Sequence, residues 1–433
     1  MSDFLAFPPA RSLRGTLHVP PSKSATNRAL LLAALTEVPV EIARPLESDD
    51  TAALRRCLEA MGAAIVPTRE GLLVSGPLRG APDREIALDA ADSGTAARFL
   101  TAAAAVVPGR FVLRGSPRLC ERPIAELVAA LRPAGARIEY RGMEGCLPLA
   151  IEGGTLRSGE VVVDAARSSQ FLSALLLAAV AVDGGLRVRS AGRIASGPYV
   201  ATTLEVLRDF GHDVEAGPDF AVRRGARLAG RYETPGDYSS AVPLVAAVGA
   251  AGGEVTLEDL RWPSADADAG AVPVLEKMGI RIASGPGRLT ASARRADLRA
   301  VSVEATNFPD AVPSLAALAA LAQGQSVFSG VGHLRLKESD RLAALAALVH
   351  AVGAKAEADE DALVITGPAT GGAGAVTRLS TFHDHRIAMA AGLLSLRLPN
   401  LLIEDPGCVA KSYPGFFRDI EALSIRSHSG AES

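Results

Sequence analysis

The chain has 433 residues, 48% hydrophobic and 21% charged, with 45 Lys plus Arg against 48 Asp plus Glu and a formal net charge of −3. That balance describes a globular chain rather than a disordered one, and it provides no basic surface for a nucleic acid. Four cysteines (Cys57, Cys120, Cys146, Cys408) with no CxxC pair support neither a disulfide framework nor a zinc site.

The N-terminal residues lack a basic segment followed by a long apolar run, so no leader is expected. At Pro21 a short polar cluster runs into an Ala- and Leu-rich stretch, PSKSATNRALLLAAL, helical by composition and period. The same pattern returns as ADSGTAARFLTAAAA at Ala91, ARSSQFLSALLLAAV at Ala166, GDYSSAVPLVAAVGA at Gly236, NFPDAVPSLAALAAL at Asn307 and FHDHRIAMAAGLLSL at Phe382. Anchored on Lys23, Gly94, Ser168, Tyr238, Asp310 and Asp384, the intervals are 71, 74, 70, 72 and 74 residues. The longest apolar stretch, Phe171 to Val182, is too short to span a bilayer. A cytoplasmic protein without a membrane partner is therefore expected.

A second series keeps the same beat. LEAMGAAI, LRPAGARI, LRDFGHDV, LEKMGIRI and VHAVGAKA place Gly62, Gly135, Gly211, Gly279 and Gly353 at intervals of 73, 76, 68 and 74. Each glycine stands where a helix favours a left-handed cap residue. Strand-like segments such as RFVLRGS at Arg110 and EVTLEDL at Glu254 precede these helices, and short alternating segments such as ARIEY at Ala136 and ALVITGP at Ala362 follow them. The repeat is βαβαββ-like and roughly 72 residues long. A unit that small buries its own core poorly, so the six copies must pack together.

Val19-Pro20-Pro21 and Thr234-Pro235-Gly236 are stiff turn segments that bracket the first three copies. They divide the chain into residues 21–235 and a discontinuous domain of residues 1–20 plus 236–433, with three repeats in each. A continuous solenoid is the competing arrangement. Only five of the 45 basic residues are lysines. Lys277 and Lys355 flank repeated glycines at expected helix ends, whereas Lys23, Lys337 and Lys411 stand in motif-like segments where a compact ammonium has a use that arginine cannot serve.

Helix starts carry unpaired N–H groups and partial positive charge, so six of them facing one cleft would attract anions. Arg28, Arg122, Arg341, Arg386, Lys23 and Lys411 lie in or near these segments, and arginine clamps carboxylate or phosphate through two parallel hydrogen bonds. Each motif also has a plainer reading. SKS and SGT can be ordinary N-caps, KESDRL a solvated helical face with Glu338 paired to Arg341, Asp310 a helix cap, and Cys120 a buried bystander. His383 and His385 diverge at a helix start without a third ligand, so no metal is expected. No GxGxxG after a strand, GxxxxGK[ST] or GxSxG occurs, which removes the dinucleotide, P-loop and serine-hydrolase readings.

The ordered blocks PSKSATNRALLLAAL, DSGTAAR, ERPI, SSQF, SGPY, FPDAVP, LRLKESDRL, DHRIAM and AKSYP span nearly the whole chain. Together they resemble the EPSP synthase family, the 3-phosphoshikimate 1-carboxyvinyltransferases. The resemblance implies an α/β fold of two domains, an inside-out α/β barrel of six βαβαββ units with the active site in the cleft between domains, and it decides against the solenoid. It implies that shikimate 3-phosphate is held by Lys23, Ser24, Arg28, Ser168, Ser169, Gln170, Ser196, Tyr199, Asp310 and Lys337. It places phosphoenolpyruvate at Lys23, Gly94, Thr95, Arg122, Gln170, Arg341, Arg386 and Lys411, with Gly94 where a side chain would intrude. Asp310 is then the base at the 5-hydroxyl, and Glu338 or Lys23 the proton donor to the methylene carbon. No metal or other cofactor is implied, and a monomer is expected.

Three positions depart from the family pattern: Pro21 where glycine commonly precedes SKS, Asp92 where asparagine is frequent, and His333 at an asparagine-like substrate contact. The related UDP-N-acetylglucosamine enolpyruvyl transferases carry a catalytic cysteine in a loop upstream of the matching arginine, but Cys120 stands only two residues before Arg122 in an unlike context. A non-catalytic anion-binding repeat protein is the other alternative, and retention of both Asp310 and Glu338 argues against it.

Overall fold

The computed structural model describes residues 3–81, 83–226, 229–371 and 374–425. A helix that is apolar on every side must be buried on every side, and the six Ala/Leu-rich runs meet that requirement. They form the helices Lys23–Leu35, Gly94–Val106, Ser169–Ala178, Tyr238–Ala251, Val312–Leu321 and His385–Ser395. Every residue of the last three is buried. In the first three the exceptions are Lys23, Ser24, Thr95, Val106 and Gln170. Four of those five stand in the first turn of their helix.

The chain divides into two compact units, residues 21–235 and residues 1–20 with 236–433, each with its own hydrophobic core. In both, the sheets take the outside. Strand Glu85–Asp89, for example, turns Ile86 and Leu88 inward and leaves the alternate residues exposed, the pattern of a sheet with one wet face. Buried helices with sheets outside them make each unit an inside-out α/β arrangement.

Within residues 21–235 there are three four-stranded sheets of one design. Glu85–Asp89 runs parallel to Gly109–Arg114, which is antiparallel to Leu149–Gly153, itself antiparallel to Arg137–Tyr140. With a helix in each of the first two connections, the chain order is the βαβαββ of the repeat. Gly159–Val163 and Ser302–Glu304 open sheets with the same parallel, antiparallel, antiparallel sequence. The sixth sheet differs, with Leu401–Glu404 between a parallel Thr377–Leu379 and an antiparallel Phe4–Ala6.

Two repeats exchange their first strands. Ser12–His18 precedes the first buried helix in the sequence, yet it runs parallel to Gly253–Glu258 in the sheet of the fourth repeat. Arg231–Glu233 precedes the fourth buried helix, yet it pairs with Val40–Ala43 in the sheet of the first. The two proline turns carry these passages: the Ser22 N–H donates to the Pro235 carbonyl at 2.7 Å, and the Asp237 N–H to the Pro20 carbonyl at 2.9 Å.

Gly62, Gly135, Gly211, Gly279 and Gly353 all adopt positive φ, from 80° to 103°. In each case the next residue donates back across the turn, as Ala63 does to the Leu58 carbonyl and Ile280 to that of Leu275, which is the Schellman closure. A Cβ on Gly279 would lie 2.1 Å from the Asp297 carbonyl oxygen, so close approach adds to the conformational demand. Lys277 ends the helix Val272–Lys277 as expected, but Lys355 opens the strand Lys355–Ala358 instead of closing a helix. Among the described residues no helix is long and apolar enough to cross a membrane.

Candidate functional site

The six buried helices do not start alike. In the unit of residues 21–235, Ser22, Ser93 and Ser168 accept from the N–H groups of Ala25, Ala96 and Gln170. These caps are neutral, so the helix ends keep their attraction for anions. In the other unit Asp237 accepts from the Ser239 N–H, and Asp384 from the Arg386 N–H. Those caps already carry the negative charge that a helix start favours. Of the six starts expected to attract anions, those at Tyr238 and His385 therefore already hold a carboxylate.

Around the serine-capped starts the cations are placed by packing. Lys23 Nζ lies 3.1 Å from Asp50 Oδ2, with Asp50 buried. Gln170 Nε2 donates to Thr95 Oγ1 at 3.2 Å, joining the starts of two helices. Gly94 stands against the Arg122 guanidinium: a Cβ there would be 2.6 Å from Nη1 and 2.8 Å from Nη2. Arg28 is buried and its fork is spread over neighbouring elements, with Nε on Thr203 Oγ1 at 2.8 Å, Nη1 on the Ser24 carbonyl at 2.9 Å and Nη2 on the Tyr199 carbonyl at 3.1 Å. Ser169 is buried, and Ser196 adopts a left-handed φ of 53° just before the helix Pro198–Asp209 that carries Tyr199. Asp92 is exposed and accepts from the Ser116 hydroxyl.

In the unit of residues 1–20 and 236–433 the centre is Arg341, 1% exposed. Its Nη1 donates to Asp310 Oδ1 at 2.8 Å, Nη2 to Glu338 Oε2 at 2.9 Å and Nε to Asp384 Oδ2 at 2.8 Å. Burial alone would lower this guanidinium, but Asp384, Glu338 and Asp310 outweigh burial and hold it well above its ordinary range. Lys411 Nζ lies 3.5 Å from Glu338 Oε1. Arg386, also buried, donates to Asp310 Oδ2 at 3.4 Å and to Ser239 Oγ at 2.6 Å. The structure thus brings Asp310, Glu338, Arg341, Arg386 and Lys411 into one network, while Lys337 follows the short turn Gly332–Leu336 that leads into it.

Two plainer readings are corrected here. KESDRL is not a solvated face, because the i,i+3 pair of Glu338 and Arg341 is built on a buried guanidinium. Asp310 is not the cap of its helix; Ala311 occupies that position and no side chain of the segment caps it. Three participants escaped sequence reasoning: Asp50, Asp384 and Ser239. Asp384 lies on the beat with Asp237 and Asp310, a signal present in the spacing but read only as an anchor. The fourth cluster, which has no role on the sequence alone, holds Arg386 through Ser239.

Phe382 and His383 take left-handed φ of 52° and 54°, and His383 Nδ1 lies 2.7 Å from Asp405 Oδ2. His385 is buried, with Nδ1 3.7 Å from Asp384. Burial and the Lys337 charge push the His333 imidazole down to about 4, leaving it neutral, and its buried Nε2 has no hydrogen-bond partner among the described residues. Among the described residues no group of three or more His, Cys, Asp or Glu is placed to hold a metal ion.

Comparison with known proteins shows the family. A 3-phosphoshikimate 1-carboxyvinyltransferase of Sulfurovum sp. is 38% identical over 424 residues, covering 96% of this chain and 98% of that protein. One from Nitrosomonas europaea is 38% identical over 428 residues, covering 98% and 99%. Among solved structures, EPSP synthase from Acinetobacter baumannii matches with a TM-score of 0.76 at 26% identity over 98% of each chain. The enolpyruvyl transferase NikO from Streptomyces tendae, at 20% identity and a TM-score of 0.76 over 97% of each chain, shares the fold. Residues 8–420 match the family described as EPSP synthase (3-phosphoshikimate 1-carboxyvinyltransferase). On a match that spans both units and every buried helix, the chain belongs to the EPSP synthase family.

Proposed function

We propose that the protein transfers the enolpyruvyl group of phosphoenolpyruvate to the 5-hydroxyl of shikimate 3-phosphate, releasing phosphate. The observation that carries this reading is that Asp310 and Glu338 are bound to the same guanidinium, Arg341. The reaction needs one group to take a proton and another to give one, close together and held in place. In the addition step the 5-hydroxyl oxygen bonds to C2 of the enol, its proton passes to Asp310, and the methylene C3 gains a proton from Glu338 or Lys23. Elimination then breaks the C2–O bond to phosphate, C3 gives up a proton, and the enol ether forms. No net oxidation occurs.

The two kinds of helix start suit two kinds of task. Neutral serine caps with Lys23, Arg28 and the Ser168-Ser169-Gln170 run favour an incoming phosphate; Ser24, Ser196, Tyr199 and Lys337 are proposed to complete the shikimate 3-phosphate contacts. Arg122, Arg341, Arg386 and Lys411, with Gly94 and Thr95, are proposed to hold phosphoenolpyruvate. Fixed cations offset charge that develops as phosphate departs.

The purified protein, given phosphoenolpyruvate with shikimate 3-phosphate, is expected to release phosphate stoichiometrically. Release with UDP-N-acetylglucosamine in place of the shikimate ester would move the assignment to the nucleotide-sugar enzymes. No release with either would leave the anion-binding alternative.

A further inference from the structure

Asp237, Asp310 and Asp384 occupy equivalent places in three repeats, 73 and 74 residues apart. Two of them cap their own helix, Asp237 through the Ser239 N–H at 3.0 Å and Asp384 through the Arg386 N–H at 2.9 Å. Asp310 does not. The N–H of Ala311, at the start of its helix, reaches Asp268 Oδ1 at 3.0 Å, in the short turn Ala267–Ala271 of the preceding repeat. The same N–H also meets the Phe308 carbonyl at 3.1 Å, so Asp268 grips the turn that carries Phe308, Pro309 and Asp310.

An aspartate at a helix start ordinarily folds back onto the first unpaired N–H groups. Here no side chain caps the helix; the backbone beside Asp310 is instead held from outside, at the Ala311 N–H, and the Asp310 oxygens turn to Arg341 and Arg386. Asp268 is fully buried. Its segment is seated against the Asp310 turn, since a Cβ on Gly270 would lie 3.1 Å from the Phe308 ring. We infer that Asp268 is a positioning residue: by holding the Ala311 N–H next to Asp310, it fixes the turn and keeps the Asp310 carboxylate aimed at the two arginines and so at the attacking hydroxyl. This rests on the reading of Asp310 as the base.

The test compares parent, Asp268→Asn and Asp268→Ala enzymes with phosphoenolpyruvate and shikimate 3-phosphate, measuring kcat, both KM values and thermal melting. Asparagine can still accept from the Ala311 N–H, so its kcat should stay within about threefold of the parent. Alanine cannot, and misplacement of the base should lower kcat at least ~10-fold with both KM values within about twofold. Full turnover in Asp268→Ala, or equal losses in both variants, overturns the inference. If the alanine variant does not melt cooperatively, the asparagine variant decides alone: parental kcat supports the inference and a tenfold fall overturns it. A parent that releases no phosphate sinks the proposed reaction instead, and parental turnover in Asp310→Asn sinks the role of Asp310, so the three failures are separable.

Discussion

Asp310 Oδ1 and Arg341 Nη1 meet at 2.8 Å, and the same guanidinium also holds Glu338 and Asp384. With Arg386 and Lys411 included, the network sets three cations against three carboxylates before any substrate arrives. Removing one member of a buried ionic cluster costs about 3–5 kcal/mol, because its partners stay buried without compensation. The network thus holds its cations and carboxylates in a fixed geometry.

Replacing Asp310 by asparagine keeps a side chain of the same shape and leaves Arg341 its bonds to Glu338 and Asp384. Turnover is expected to fall at least ~100-fold, as for loss of a general base. Calorimetric dissociation constants for both substrates should stay within about threefold of the parent. Near-normal turnover would remove Asp310 from the mechanism.

Gly94→Ala would drive a methyl group into the Arg122 guanidinium, which is buried and has little room to yield. The KM for phosphoenolpyruvate should rise roughly tenfold, the scale of one hydrogen bond to a charged group. The KM for shikimate 3-phosphate should change little. An unchanged phosphoenolpyruvate KM would show that Arg122 does not contact that substrate.

Ser239→Ala removes the hydroxyl that accepts from Arg386 Nη2, while the Ser239 carbonyl still accepts from Nη1. The arginine keeps its place but loses orientation. A rise of about tenfold in phosphoenolpyruvate KM is expected on the same scale, with a smaller effect on kcat. Steady-state kinetics indistinguishable from the parent would return the fourth repeat to a purely structural role.

Acid stability offers a test away from the site. Burial, with Arg224 nearby, holds His212 down to about 4, and burial with Lys337 does the same for His333. Their ordinary value is about 6.5. Between those values the unfolded chain binds the proton and the folded chain does not, so this stability is present above pH 6.5 and lost as pH falls toward 4. Urea midpoints should fall across that window, and His212→Gln should remove about half of the histidine contribution to the slope. An unaltered slope in the variant would contradict the burial argument.

The helix starts and the glycine caps were legible because their rules are local. A serine cap needs an N–H two or three residues away, and Gly62 or Gly353 needs only its own turn. The all-round hydrophobicity of runs such as VPSLAALAAL likewise states burial directly. The pairing of Asp384 with Arg341 was not legible, since HDHR reads as a cap whether or not a guanidinium from another repeat lands on it. Alternating signs in KESDRL say nothing about depth. The exchanged strands Ser12–His18 and Arg231–Glu233 escaped for a related reason: a strand carries the marks of being a strand but not the name of its neighbour.

That exchange has a consequence for synthesis. Residues 21–235 include every strand of their own three sheets, so this unit has all its parts once Glu233 has been made. Ser12–His18 emerges before that unit and yet has no parallel partner until Gly253–Glu258 appears. The N-terminal segment must therefore wait on the ribosome, an unpaired edge tethered to a unit that can already fold, and the unit that contains Asp310 and Arg341 closes last.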